Sequence, residues 1–228
     1  MCGRYNLSAT PARINTQFSV TVDPEQTPRY NISPGTNVLM VVSDTQSNAR
    51  RGEAAYWGFT PAWVKPGSSG PRPINARSET AASKSMFKSA LARRRCIVPA
   101  NGFYEWQKQE HGKQPWLIRL RDGDVFGFAG IYEPANDTTG DRPSCAILTT
   151  SANPLMHPIH QRMPVILSPE DYSNWLAPAS ELPDIERLLR PYQADDLIAY
   201  PVSTRVNNTR NDSPELTQQL PDAEAPGR

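Results

Sequence analysis

Proline constrains this chain more than any other residue type. It occurs 23 times in 228 residues, roughly a tenth of the chain and about twice the usual share, and each occurrence fixes φ and removes a backbone donor. Long helices and uninterrupted central strands are hard to write into such a sequence; loops, turns, short helices and edge strands are favoured. The length still lets one domain bury most of its apolar surface without staples, and the 38% hydrophobic and 21% charged content is that of an ordinary globular chain.

The patterning predicts an α+β fold: a single domain with a central, mainly antiparallel, barrel-like β-sheet flanked by short helices. Residues 9–20 suit a short helix, and the following DPEQTPRY segment reads as loop. Strands are expected at Asn37 to Ser43 and Glu53 to Phe59, then a long Pro/Gly/Ser loop from Thr60 to Pro73. Glu79 to Arg93 lacks Gly and Pro and spaces Ala82, Met86, Phe87 and Leu91 as a helix would. Short aromatic or β-branched runs follow at 95–99, 102–107, 114–119, 125–132 and 144–149, separated by turns such as His111-Gly112-Lys113. Two short helices, 169–176 and 182–189, and a strand near 197–201 complete the domain, which is expected to span 1–210. Residues 211–228 read as a polar tail, partly disordered.

Several function classes drop out. Cys2, Cys96 and Cys145 lie far apart without a CxxC pair, which argues against a disulfide framework and a zinc site, so no metal and no cofactor is expected. No run of 18 apolar residues and no signal peptide is present, so the chain is expected to be soluble, cytoplasmic and without a membrane partner, and a monomer by default. A net charge of +1 gives no global basic excess. Contacts to nucleic acid would need local clusters drawn from Arg4, Arg72, Arg77, Lys84, Lys88 and Arg93 to Arg95, although a solvated surface charge is the commoner role for each.

Cys2 follows the initiator Met, and a small residue there normally lets aminopeptidase expose it. An N-terminal Cys carries a thiol and an α-amine two carbons apart, the amine with an ordinary pKa of about 7.7–8.0. Such an aminothiol attacks aldehydes: the amine gives an imine and the thiol closes a thiazolidine ring. Taken alone, Cys2 is more often a small buried hydrophobe.

Its company changes that weighting. Met1-Cys2-Gly3-Arg4-Tyr5, Ile74-Asn75-Ala76-Arg77-Ser78-Glu79-Thr80, Pro99-Ala100-Asn101-Gly102-Phe103-Tyr104-Glu105-Trp106 and His157-Pro158-Ile159-His160-Gln161-Arg162-Met163-Pro164 occur in order, with Tyr30 to Gly35, Tyr56 to Phe59 and Pro201 to Ser203 among them. Together they resemble the SRAP (SOS response-associated peptidase) family from Cys2 to about Asn208. The resemblance implies recognition of abasic sites in single-stranded DNA and a covalent thiazolidine cross-link through the mature N-terminal Cys2, shielding the lesion during the DNA damage response. It implies Cys2 as nucleophile, Asn75 orienting its amine, Glu105 transferring protons and His160 acting on the sugar.

Each role is chemically sensible. A histidine titrates near neutrality and can protonate the closed ring oxygen to release the aldehyde. Glu105, between Tyr104 and Trp106, can shuttle protons if burial raises its pKa, and Asn75 can donate and accept without titrating. From the residues alone, His157 and His160 are not distinguished, and His111 reads as an exposed turn residue. Arg4, Arg77 and Arg162 are the expected phosphate contacts, and Trp63, with Pro34 and Met86, the expected wedge against flanking bases. Trp63 and Met86 also fit as core residues. Three other activities stay open: a cysteine peptidase, at least for autocatalytic removal of Met1; a non-covalent single-stranded DNA-binding module; and lyase action from an imine that the thiol does not trap.

Overall fold

In the structure, a computed structural model, residues 2–44, 49–65, 67, 70, 72–136, 139–140, 142–178 and 180–221 are described. The N-terminal part runs β1 (Tyr5–Leu7), α1 (Pro11–Phe18), β2 (Arg29–Ile32), β3 (Asn37–Ser43), β4 (Arg50–Trp57) and β5 (Asn75–Arg77). Two helices, α2 (Ser78–Ala81) and α3 (Ser85–Arg93), lead into β6 (Arg95–Ala100), β7 (Gly102–Lys108), β8 (Lys113–Leu120), β9 (Phe126–Glu133) and β10 (Ser144–Ser151). After a loop come β11 (Arg162–Pro164), β12 (Ile166–Leu167), α4 (Tyr172–Leu176), α5 (Leu182–Leu188) and β13 (Leu197–Pro201).

Among the described residues the strands form two sheets rather than one barrel-like sheet. A five-stranded sheet has the order β13-β8-β7-β1-β2, and an eight-stranded sheet runs β11-β10-β4-β3-β6-β9-β12 with β5 paired to β10. Pairing is mainly antiparallel, as expected; the exceptions are β10 with β4 and with β5, which are parallel. The sheets share one apolar core. Tyr5 on β1 meets Trp57 on β4 and Phe128 on β9 edge-on at 5.4 and 5.8 Å, and Phe103 on β7 meets Phe128 at 6.0 Å.

Local chemistry accounts for the helix ends. Thr10 caps α1 by accepting from the Arg13 N–H at 3.3 Å, Pro11 takes the first helical position, and Ile14 and Phe18 bury one face. Such a cap is worth about 1 kcal/mol. The single helix expected over Glu79 to Arg93 is broken after Ala81, where the Ser83 hydroxyl donates to Thr80 O at 3.1 Å and Lys84 turns extended. A serine that bonds the backbone competes with helix continuation, which propensity spacing does not register. The DPEQTPRY loop also ends earlier than expected, because Arg29 and Tyr30 already belong to β2 on β1.

The expected polar tail is seated on the fold as far as residue 221. Short 3-10 helices at Thr204–Asn207 and Pro214–Thr217 lay Val206 and Leu216, both fully buried, over Tyr104 and Leu117 on the outer face of the five-stranded sheet. Gln219 bridges to Val202, and Leu220 N–H donates to Pro201 O at 2.9 Å. One leucine in a polar run anchors the segment, a signal too sparse for composition to catch; residues 222–228 lie outside the described residues.

Candidate active site

Strand alternation decides which side chains of Gly102–Lys108 enter the core. On β7, Phe103 and Glu105 face the core while Tyr104 and Trp106 face outward, so a carboxylate is carried inside between two aromatics. The start of β7 requires glycine: a Cβ on Gly102 would stand 2.9 Å from the Ile118 carbonyl oxygen of the partner strand. Glu105 is buried, and desolvation raises its pKa above the usual carboxylate range, with the charge of His160 acting in the opposite direction. A carboxyl whose proton is held more tightly than usual is a better proton donor-acceptor partner for an amine than an exposed one.

Cys2 leads into β1 and is fully buried. Burial first, then the charge of Glu105, push its thiol pKa well up, while a backbone hydrogen bond from Arg4 acts the other way. Asn75 opens β5, whose position is fixed just upstream by Trp57 Nε1 donating to Ile74 O at 2.9 Å. Its Nδ2 donates to Cys2 O at 2.8 Å. Asn75 Oδ1 is buried and accepts no hydrogen bond among the described residues. Buried amide oxygens are rarely left without a donor, so this acceptor marks where a ligand's N–H or O–H would fit.

His160 ends a loop of consecutive turns. Asn153 Oδ1 accepts from Met156 N–H at 2.9 Å, His160 N–H donates to Met156 O at 2.9 Å, and Gln107 Nε2 on β7 reaches Pro158 O at 3.2 Å. His160 Nδ1 accepts from the Arg162 N–H at 3.0 Å. The same Nδ1 lies 3.1 Å from the Arg162 carbonyl oxygen, so the Arg162 backbone can hold the ring in either tautomer. His157 is exposed, whereas His160 is partly buried.

The C-terminal half of β10 gathers the cations. Thr149 pairs with Arg77 on β5 and Ser151 with Arg162 on β11, so the two arginines flank one strand. Arg77 is exposed. Arg162 is gripped by both Glu79 oxygens, at 2.5 and 2.9 Å, and donates to Thr149 O at 2.7 Å. Arg4 donates from Nη1 to Asn31 Oδ1 at 2.7 Å and to Val206 O at 2.8 Å, and lies 5.9 Å above the Trp106 ring. Trp63 is 67% exposed, whereas Pro34 and Met86 are half-buried, Met86 against the core.

Two thirds of the Arg93 to Arg95 run serves the fold. Arg94 pairs with Glu133 at 2.6 Å, and buried Arg95 donates to the carbonyls of Trp175, Leu91 and Ala92. Cys96 and Cys145 are free and buried. Among the described residues no group of three or more His, Cys, Asp or Glu could hold a metal, and no helix is long and apolar enough to cross a membrane.

Comparison with known proteins decides the family. The model of the SOS response associated peptidase (SRAP) family matches residues 1–209. The chain belongs to the SRAP family. SRAP relatives include the abasic site processing protein YoqW of Bacillus subtilis, 42% identical over 224 residues covering 96% of this chain and 99% of that protein. The abasic site processing protein YedK of Escherichia coli is 31% identical over 228 residues, covering 96% of this chain and all of that protein. A crystal structure of a protein from Bacteroides thetaiotaomicron superposes with a TM-score of 0.86 at 26% identity, covering 96% of this chain and 100% of that one.

For this SRAP chain, the four residues expected to do chemistry come from four separate parts of the sequence: Asn75 hydrogen-bonds the Cys2 carbonyl, and the charge of Glu105 acts on Cys2 as that of His160 acts on Glu105. Glu79, Thr149 and Asn31, which hold Arg162 and Arg4, were not singled out from sequence. Glu79 lies inside the Ile74 to Thr80 segment, yet nothing local announces a partner 83 residues away.

Proposed function

We propose that the protein processes abasic sites in single-stranded DNA, becoming covalently joined to the lesion through Cys2 once Met1 is removed. Met1 itself lies outside the described residues. The observation that carries this reading is Asn75: one end of its amide holds the Cys2 backbone, and the other is a buried acceptor awaiting a donor. An opened deoxyribose offers hydroxyl donors, and the imine chemistry offers N–H.

The residues divide the work as follows. His160 passes a proton to the ring oxygen and takes one back from the C1′ hydroxyl, so the sugar opens to its aldehyde. Glu105 takes a proton from the Cys2 α-ammonium, the amine adds to C1′, and the protonated Glu105 returns a proton to the departing hydroxyl, so one water leaves and an imine forms. The Cys2 thiol then adds to the imine carbon while its proton passes to nitrogen, closing the thiazolidine. Aldehyde and aminothiol give ring plus water, and no oxidant is needed. The raised thiol pKa supports the amine as the first attacking group, since a resting thiolate is disfavoured. The same fact weighs against a thiolate peptidase acting on other proteins. Arg77, and Arg162 once released from Glu79, supply phosphate contacts, and exposed Trp63 supplies a stacking face suited to single strands.

The test is an oligonucleotide with one abasic site, incubated with the processed protein and run on a denaturing gel. A shifted band is expected, lost with Cys2→Ala, with retained Met1, or with prior capping of the aldehyde. Equal adduct from Cys2→Ala overturns the proposal; a strand break without a shifted band points to lyase action instead.

A further inference from the structure

Arg119 takes no part in the machinery above. It lies on β8 across from Gly102, while Trp116 lies across from Glu105, three positions along, so alternation turns Arg119 to the outer face of the five-stranded sheet. Its guanidinium carbon stands 5.8 Å from the centre of the Tyr200 ring. Its Nε is buried, and no group among the described residues accepts from it. Buried donors of this kind nearly always have a partner, protein or not.

A cavity of about 410 Å³ opens beside this arginine. Ser8, Asn101, Tyr200, Gln218 and Gln219 line it together with Arg119, and no acidic side chain does. One neighbouring acceptor is engaged elsewhere: Asn101 Oδ1 takes the N–H groups of Ser8 and Ala9 at 2.9 and 2.8 Å. The Tyr200 hydroxyl donates to Thr217 O at 3.0 Å, which pins the ring that the guanidinium stacks on. Stacking fixes the guanidinium plane and leaves its N–H edge for an oxyanion.

The geometry points to a phosphate-binding subsite on this face, taking a phosphate group that is either free or terminal on a nucleotide. Three separate elements bring donors to one space: Arg119 from β8, the Ser8 hydroxyl after β1, and the Gln218 and Gln219 amides after the last 3-10 helix. Donors converging from three directions suit tetrahedral phosphate better than planar carboxylate. The subsite is independent of the Cys2 chemistry and stands whether or not that reading holds.

Thermal unfolding of the full chain in inorganic phosphate, against chloride at matched ionic strength, tests it, since a ligand that binds the native state raises Tm. Phosphate is expected to raise Tm in the unaltered protein, and Arg119→Gln is expected to abolish the rise while leaving abasic adduct formation unchanged. Gln219→Glu keeps the Arg119–Tyr200 stack and introduces a competing carboxylate, so it too is expected to abolish the rise. A larger rise with a nucleoside monophosphate than with inorganic phosphate assigns the subsite to a nucleotide end; an equal rise assigns it to free phosphate. No rise in the unaltered protein, or the same rise in both variants, overturns the subsite.

Discussion

The Arg162 backbone holds Nδ1 of His160 through two atoms, its N–H at 3.0 Å and its carbonyl oxygen at 3.1 Å. One of these atoms is a donor and the other an acceptor, so the ring is held whichever nitrogen carries the proton. Because β11 pairing with β10 also holds Arg162, this grip comes from the backbone and survives changes to the arginine side chain.

Replacing His160 by Gln therefore removes an acid and leaves the loop in place. Single-turnover adduct formation is expected to slow by about 10²–10⁴-fold, the range for general acid–base groups. Affinity for an abasic strand, read by anisotropy, is expected to stay within a few-fold; lost binding with an unchanged chemical rate would reverse the assigned role.

Glu105 exchanges stability for chemistry. Burial raises its pKa in the folded state, so the fold binds its proton more tightly than the unfolded chain does. The associated stability is fully present at acid pH below the ordinary carboxylate range and is lost as pH rises through the raised value. Glu105→Gln is expected to slow the adduct reaction and to stabilise the fold at neutral pH by on the order of 1 kcal/mol, seen as a higher Tm. The Tm gap should shrink toward zero as the pH falls below that range; a gap independent of pH counts against a buried, titrating carboxylate.

In the proposed reaction, Glu79 competes with a strand phosphate for Arg162. Its carboxyl pKa is lowered, first by the hydrogen bond from Arg162, so it stays charged through the neutral range. The pair is half open to solvent on the Glu79 side and is worth at most about 1 kcal/mol. Glu79→Gln is expected to tighten single-strand binding at low salt by up to about fivefold and to leave the high-salt affinity unchanged. Weaker binding would mean that Glu79 orients Arg162 for the strand rather than competing with it.

Leu216 is the anchor of the C-terminal segment. Leu216→Ala is expected to cost about 2–5 kcal/mol, the range for a buried leucine, seen as a lower urea midpoint with an unchanged slope. A loss of a few tenths would show that residues 211–221 contribute little to the fold.

The sequence made the strands legible where β-branched and aromatic runs lie between turn residues, as at Asn37–Ser43 and Leu197–Pro201, whose observed bounds match the expected ones. It did not disclose β5 or β12, because three- and two-residue strands carry no period. Nor did it disclose the division into two sheets, which depends on the chain changing sheet at Asn101 between β6 and β7. The site was legible as residue types in ordered segments. What the structure added was burial and partners: that His160 is more sheltered than His157, and that Arg4 and Arg162 already have partners.

The inward and outward alternation along Gly102–Lys108 bears on how this protein can change over time. Point replacements at Tyr104 or Trp106 alter the cover over the C-terminal segment and leave the reactive pocket's carboxylate where it is. Deleting or inserting one codon between Asn101 and Glu105 would do something different in kind, rotating the acid toward solvent and a tyrosine into the interior in a single event. Natural variants should therefore vary in side chain along this strand while its residue count stays fixed.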